Sequence, residues 1–279
     1  MKRLFVCVLS MLLLAACASP LAKTETPQQA VAAAAQRASQ LHSAKFDMTA
    51  AVNMSFPPAM ASMFGQAANG GSMAVNLSGN GEAQFPDRYH ATMNVKMGGF
   101  SVAAETVVAN GKAYVKNPLT GKWEVSTQTG NLTDQLGQPD PLSYDQFLKN
   151  VKSVTEIQGA TRLDNVSVRH FEVTPDKDKL VAAISKQKNA QAAAALKQVL
   201  DSGTMKLDVY IGKDDHLVRQ MNLNLDYTID VKQLLGALGA GNGSSAGLPA
   251  GSTIHAKATV TINYHDFNAP VTISIPTVG

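Results

Sequence analysis

Cysteine is nearly absent from this chain: Cys7 and Cys17 are the only two in 279 residues, and both lie close to the start. A leader removed after residue 16 would leave Cys17 as the sole thiol, which excludes an intramolecular disulfide framework. Charge is scarce too, at 16% of residues, with 24 Lys+Arg against 21 Asp+Glu and no basic run. Loss of Lys2 and Arg3 with a leader would lower the net charge from +3 to +1. That balance excludes the concentrated basic surface that binding nucleic acid requires. No apolar run approaches the roughly 20 residues of a transmembrane helix. What is present is a 45% hydrophobic chain, enough for one large domain or two small ones with a sizeable core.

The N-terminus "MKRLFVCVLSMLLLAAC" has a basic start, an apolar stretch from Leu4 to Leu14 and then small residues, the form of an export signal. Leu14-Ala15-Ala16-Cys17 resembles the lipobox of bacterial lipoproteins, in which the peptidase cuts before a cysteine carrying a diacylglyceryl group. Residues 1–16 are thus expected to be a signal peptide, Cys17 the lipidated mature N-terminus, 17–26 a polar tether and 27–279 a single domain. Two acyl chains, at ~0.8 kcal/mol per buried CH₂, would give a stable anchor. An ordinary export signal with a chance cysteine is the plainer alternative. The expected location is the cell envelope, anchored to the outer face of the cell membrane, or to an outer membrane if the cell has one.

Thr26-Pro27-Gln28-Gln29 has the form of a capped helix start, with a helix to about His42. From Lys45 the period changes to two. Phe46, Met48, Ala50, Val52, Met54 and Phe56 alternate with polar or small residues, and the same pattern recurs over 73–85 and 89–97. Strands follow from Phe100 to Ala109, Lys112 to Asn117 and Lys122 to Ser126, with a hairpin signal at Asn110-Gly111. A helix is expected from Asp140 or Ser143 to Lys152, strands over 156–163 and 167–174, and one alanine-rich helix over "DKDKLVAAISKQKNAQAAAALKQVLDS". The last strands are 204–211, 217–231 and 253–265. The fold class expected is α+β: one domain in which a strongly curved antiparallel sheet of ten or eleven strands is packed against helices.

Two connections break the rule that loops are polar. "SFPPAMASMFGQAANGG" sets Met60, Met63 and Phe64 on one face of a helical turn, and "KQLLGALGAGNGSSAGLPAG" does the same with Leu234, Leu235 and Leu238. Large apolar groups in such places must be covered by something.

Catalytic signatures are weak. Ser245 in Gly243-Ser244-Ser245-Ala246-Gly247 fits G-x-S-x-G, but a nucleophile elbow needs a strand before it and a helix after, and here glycines precede and Pro249 follows. The histidines at 42, 90, 170, 216, 255 and 265 show no metal-ligand spacing. Asp214, Asp215 and His216 read as a hairpin turn, and Trp123, at strand parity with Val125, as a core anchor. Neither an enzyme, a metal nor a cofactor is expected.

The inward strand face is rich in methionine, including Met48, Met54, Met73, Met93, Met97, Met205 and Met221. Such unbranched side chains either fill an irregular core or re-pack around varied guests. The long strands present more apolar positions than a few alanine-rich helices easily cover, so part of the face is expected to line a cavity.

"VVANGKAYVKNPLTGKWEV" from Val107 to Val125 resembles the central hairpins of the LppX/LprG-type lipid-carrier lipoproteins, relatives of the LolA fold, and "YHDFNAPVTISIP" from Tyr264 to Pro276 resembles their closing strand. The resemblance implies an antiparallel half-barrel with helices covering its concave face, enclosing an apolar pocket for acyl chains, and binding or transfer of lipids or lipid-linked molecules. The candidate lining residues are Met48, Val52, Met54, Phe56, Val75, Met93, Val95, Met97, Met221 and Leu223. Met60, Met63, Phe64, Leu234, Leu235 and Leu238 are then candidate flaps at the cavity mouth. The competing reading is a non-catalytic envelope interaction or sensory module that uses the same sheet with a filled core.

Overall fold

The computed structural model of the protein describes residues 25–57, 71–125, 148–187, 190–237 and 251–279. It begins with the capped helix α1 (Pro27–Ala38). Thr26 Oγ1 accepts from the Gln29 amide at 3.3 Å, and Gln29 Oε1 accepts from the Thr26 amide at 2.9 Å. The two contacts reciprocally satisfy donors that every helix start leaves unpaired. Six strands follow: β1 (Ser43–Ser55), β2 (Ser72–Gln84), β3 (Arg88–Met97), β4 (Phe100–Ala109), β5 (Lys112–Lys116) and β6 (Trp123–Val125). After residues 126–147 come β7 (Val151–Leu163), β8 (Val166–Pro175), α2 (Lys177–Gln187), α3 (Ala190–Asp201), β9 (Gly203–Gly212), β10 (Val218–Asp230), α4 (Val231–Ala237) and β11 (Thr253–His265).

All eleven strands form one antiparallel sheet in the order β6-β5-β4-β3-β2-β1-β11-β10-β9-β8-β7. Two meanders are joined where the last strand pairs with the first, Phe46 facing Tyr264 and Met54 facing Ala256. The outer strands β6 and β7 do not pair, so the sheet is open. Its curvature follows from what one helix touches. From β3 to β7 is seven strand spacings, ~34 Å if flat, while α1 is only ~10 Å wide. Yet Ala30, Val31, Ala34, Ala35 and Ala38 of α1 share one continuous core with Phe46, Ala83 and Ala91 on one side and Val154, Phe171 and Val173 on the other. A sheet closing on a narrow alanine-faced helix from both sides must curl around it. The fold is therefore α+β, a curled antiparallel sheet with helices on its concave face, the class expected.

Two glycines in the middle of β2 thin the wall where this closure is tightest. A Cβ on Gly81 would lie 2.5 Å from Phe46 Cζ, and one on Gly79 would lie 2.9 Å from Met93 Sδ. The larger neighbours take the space those side chains would have used.

Several expected boundaries moved. The alanine-rich segment is described as two helices, α2 and α3, packed on each other. Strand β7 begins at Val151, inside the span expected to be helix; only Leu148 and Lys149 of that helix are described. Val231 opens α4 and does not end β10. The expected closing strand stops at His265, and the chain then leaves the sheet: Asn268 donates its amide to the Ser43 carbonyl at 2.9 Å, and Ile273 buries against Val107 and Tyr114. Trp123 packs in that same small cluster, with Val125 and Val271, on the convex side. It anchors the outer edge and lies outside the main core.

Candidate functional site

The registers place apolar side chains in rows across the concave face. One row runs Val102, Val95, Leu77, Ala50, Val260, Leu223 and Leu207 over seven strands. The next runs Phe100, Met97, Val75, Val52, Ala258, Leu225 and Met205. At 4.8 Å between strands each row is ~29 Å long. Alternation puts the intervening residues, among them Asn76, Asn94, Thr259 and Asn224, on the other side of the sheet.

The two ends of this face differ. Where β1 begins, the space is filled: Phe46, Phe171, Val209 and Met221 are buried, and the Tyr264 hydroxyl meets Met221 Sδ at 3.8 Å. Toward the other end, and toward β4, cover falls away. Met48, Val52, Met54, Val75, Met93 and Val95 are half-buried, while Met97, Val102 and Phe100 are 36%, 48% and 70% exposed. Among the described residues the helices pack chiefly over β7, β9 and β10, so the rows on the β2–β4 side have less cover from them. One polar group sits within the apolar wall. Tyr227, buried on β10, has a hydroxyl with no partner among the described residues, and burial raises its pKa above the ordinary phenol value.

All ten candidate lining residues share this face, but not one setting. Met221 belongs to the filled core, with Leu223 packed against it. Phe56 is buried with Val231 in a small cluster to which Met54, Met73 and Ile254 also belong. That cluster joins the bases of the two unusual connections: residues 56–71 leave β1 and residues 231–252 leave β10, two strands that flank β11, at the same end of the sheet. Met60, Met63, Phe64 and Leu238 lie outside the described residues, as does the side chain of Leu235; Leu234 is half-buried in α4. Cys17 and the leader also lie outside them, as does Ser245. Phe100, Val102 and Leu77 complete the rows and were not singled out as lining. For Phe100 and Val102 the signal lay in the Gly98-Gly99 turn, which sets Met97 opposite Phe100 and so fixes the parity of β4.

At the opposite end of the strands the start of the domain is held by charge. Arg169 gives two hydrogen bonds to Glu156, both at 2.8 Å, and two to Glu25, at 2.7 Å to its carboxylate and 3.3 Å to its backbone carbonyl; the Glu25 carboxylate also meets His216 Nε2 at 2.9 Å. The guanidinium lies 4.9 Å from the centre of the Phe171 ring. The Arg169 hydrogen bonds hold the Glu156 carboxyl below the usual carboxylate range. On the convex face, Glu105 is held low in the same way, chiefly by its hydrogen bond from Lys116 at 2.9 Å, with His90 at 3.1 Å. Among the described residues no group of three His, Cys, Asp or Glu side chains converges to hold a metal ion, and no helix is long and apolar enough to cross a membrane.

Solved structures similar to this chain include a DUF1329 protein from Desulfovibrio piger, at 11% identity and a TM-score of 0.28, covering 89% of this chain and 95% of that one. An outer membrane lipoprotein-sorting protein domain from Vibrio parahaemolyticus matches at 8% identity and a TM-score of 0.27, covering 88% and 95%. MucB of Pseudomonas aeruginosa, solved with MucA, matches at 11% identity and a TM-score of 0.28, covering 71% and 50%. Scores this low carry no argument about what the protein does. No curated protein matches the sequence. The sequence does match one family across nearly its whole length, and over residues 26–278 the chain belongs to the family of unknown function DUF6612.

Proposed function

We propose that the protein is a non-catalytic carrier of the LppX/LprG type, which holds a lipid or lipid-linked molecule against its concave face and is tethered to a membrane through acylated Cys17. The observation that carries this reading is the pair of seven-strand apolar rows whose β2–β4 half is only partly covered. Each methylene moved from water onto such a surface gains ~0.8 kcal/mol, so an acyl chain laid along a row supplies binding energy without any reacting group. Because the chain would be exchanged against a bilayer that solvates it equally well, small differences in contact decide the direction of transfer.

The tether would join the domain beside Arg169 and Glu156, at the end of the strands remote from the rim formed by Phe56 and Val231. Fully extended, Cys17 to Glu25 reaches about 30 Å, so a carrier bound to its membrane would have to tilt for the rim to touch it.

The test is to purify the protein cut before Glu25, extract it with organic solvent and identify co-purifying lipid by mass spectrometry, alongside titration with a fluorescent fatty acid. A carrier yields lipid and a saturable, displaceable signal. Neither lipid nor probe binding would leave the filled-core envelope module as the better reading.

A further inference from the structure

Among the described residues, the upper half of β4 is a free sheet edge. Strand β5 pairs only with Glu105–Ala109; after Lys116, which faces Glu105, the chain turns away through residues 117–121. The two flanking hairpins fix which backbone groups are left over. Ala109 faces Lys112 across Asn110-Gly111, so the odd-numbered residues of β4 make the hydrogen-bonded pairs with β5. Met97 faces Phe100 across Gly98-Gly99, so the even-numbered ones bond to β3. Both hairpins give the same assignment. Beyond Glu105, the N–H and C=O groups of Ser101 and Ala103 therefore point out of the sheet, with no partner strand among the described residues.

The end strands β7 and β6 are blunted in ways that natural proteins use against unwanted pairing. Strand β7 carries register shifts between Val151 and Ser153 and between Ile157 and Thr161, with Gly159 at φ 148. Strand β6 has three residues and is bridged by Val278. The free stretch of β4 has none of these devices: its register with β3 is unbroken, and it consists of Ser101, Val102, Ala103 and Ala104 after Phe100. Beside it opens a groove of about 470 Å³ with Thr92, Ser101, Ala103, Glu105, Lys116 and Leu119 among its walls. Leu119 is 94% exposed, held outward on a turn whose Leu119 and Thr120 amides both donate to Asn117 Oδ1, at 2.9 and 3.2 Å.

We propose that this edge receives an extended segment of a partner protein, which adds to the sheet as a short strand in line with β5. Pairing with Ser101 and Ala103 satisfies both N–H and both C=O groups. Alternate side chains of the segment then fall on Val102 and Phe100 on the concave side and beside Leu119 on the other, so the segment recognised is one of apolar residues at alternate positions. Lys116 closes the lower end of the notch. A second copy of this chain, offering its rigid β3–β4 hairpin to the same edge, would drive its turn into Lys116, whereas a flexible segment can bend out along the groove.

The inference goes beyond the carrier reading and is tested apart from it. Amide exchange by NMR should find Ser101 and Ala103 fast and Val102 and Ala104 slow in the free protein. An alternating threonine–valine hexapeptide, the probe, should slow exchange at Ser101 and Ala103 at least tenfold, and a glycine–serine hexapeptide should not. Ala103→Pro removes an outward donor while leaving the bonds to β3, and should weaken the probe about tenfold. Leu119→Ser, at a site too exposed to affect folding, should weaken it severalfold even if the proline variant unfolds. No slowing with the hexapeptide, or an affinity unchanged by Leu119→Ser, would overturn the proposal. So would slow Ser101 and Ala103 amides in the free protein, which would mean that the edge is already covered by the chain itself or, if protection grows with concentration, by a second copy.

Discussion

Replacing Gly81 with alanine should destabilise the protein, although at most positions with ordinary backbone geometry that change helps. Alanine narrows the unfolded ensemble, a gain of ~0.4–1 kcal/mol. Here the added Cβ would sit 2.5 Å from Phe46 Cζ, 2.6 Å from Phe46 Cε1 and 2.6 Å from the His90 carbonyl oxygen. Phe46 is 1% exposed and cannot swing away, and the carbonyl belongs to the neighbouring strand, paired in register with β2. Overpacking of this kind costs ~1–3 kcal/mol, more than the entropic gain, so the net loss is about 1–2 kcal/mol. Urea unfolding followed by circular dichroism reads it as a lower midpoint at constant slope. Phe46→Leu removes the ring but not the carbonyl contact, so the double variant should lose less than the sum of the singles, by about 0.5 kcal/mol or more. Strict additivity, or a stabilised Gly81→Ala, would show that the sheet does not close on Gly81 as described and would refute the curvature argument.

Thr26→Ala should cost about 1 kcal/mol in the same assay, since it removes one half of the capping box, while Thr26→Ser should be close to neutral. Glu156, whose carboxyl is held low by Arg169, contributes stability that is fully present above its unfolded pKa and is lost as the pH falls through the lower folded value; acid titration below about pH 4.5 should show that loss, and Glu156→Gln should flatten it. Phe100→Ser alters a side chain that is 70% exposed, so unfolding should shift by no more than about 0.5 kcal/mol, while the affinity for a fluorescent fatty acid falls if the rows bind acyl chains. Unchanged affinity in Phe100→Ser together with Val75→Asp would remove the β2–β4 side from the binding surface.

The readable parts of this protein were those whose signal is local. Period-two alternation in 46–56 and 89–97 fixed which side chains share a face, because successive residues in a strand point to opposite sides whatever the strand pairs with. Thr26-Pro27-Gln28-Gln29 announced its own capping box, since all its partners lie within one helical turn. Local signals failed where partners are distant. Val151 and Lys152 could pass for a helix end because only pairing with β8 makes this stretch a strand, and Val271 and Ile273 alternate as a strand would although they lie off the sheet and cover Val107 and Tyr114.

From the sequence alone came the two faces of the sheet, the start of α1 and the presence of apolar groups in two connections. Tertiary structure decided which half of the concave face is filled, that both connections rise from one rim, and that Ser101 and Ala103 are left at an open edge. The reason is physical: side-chain direction is set by each residue's own dihedral angles, whereas cover, closure and edge pairing depend on what distant segments bring alongside.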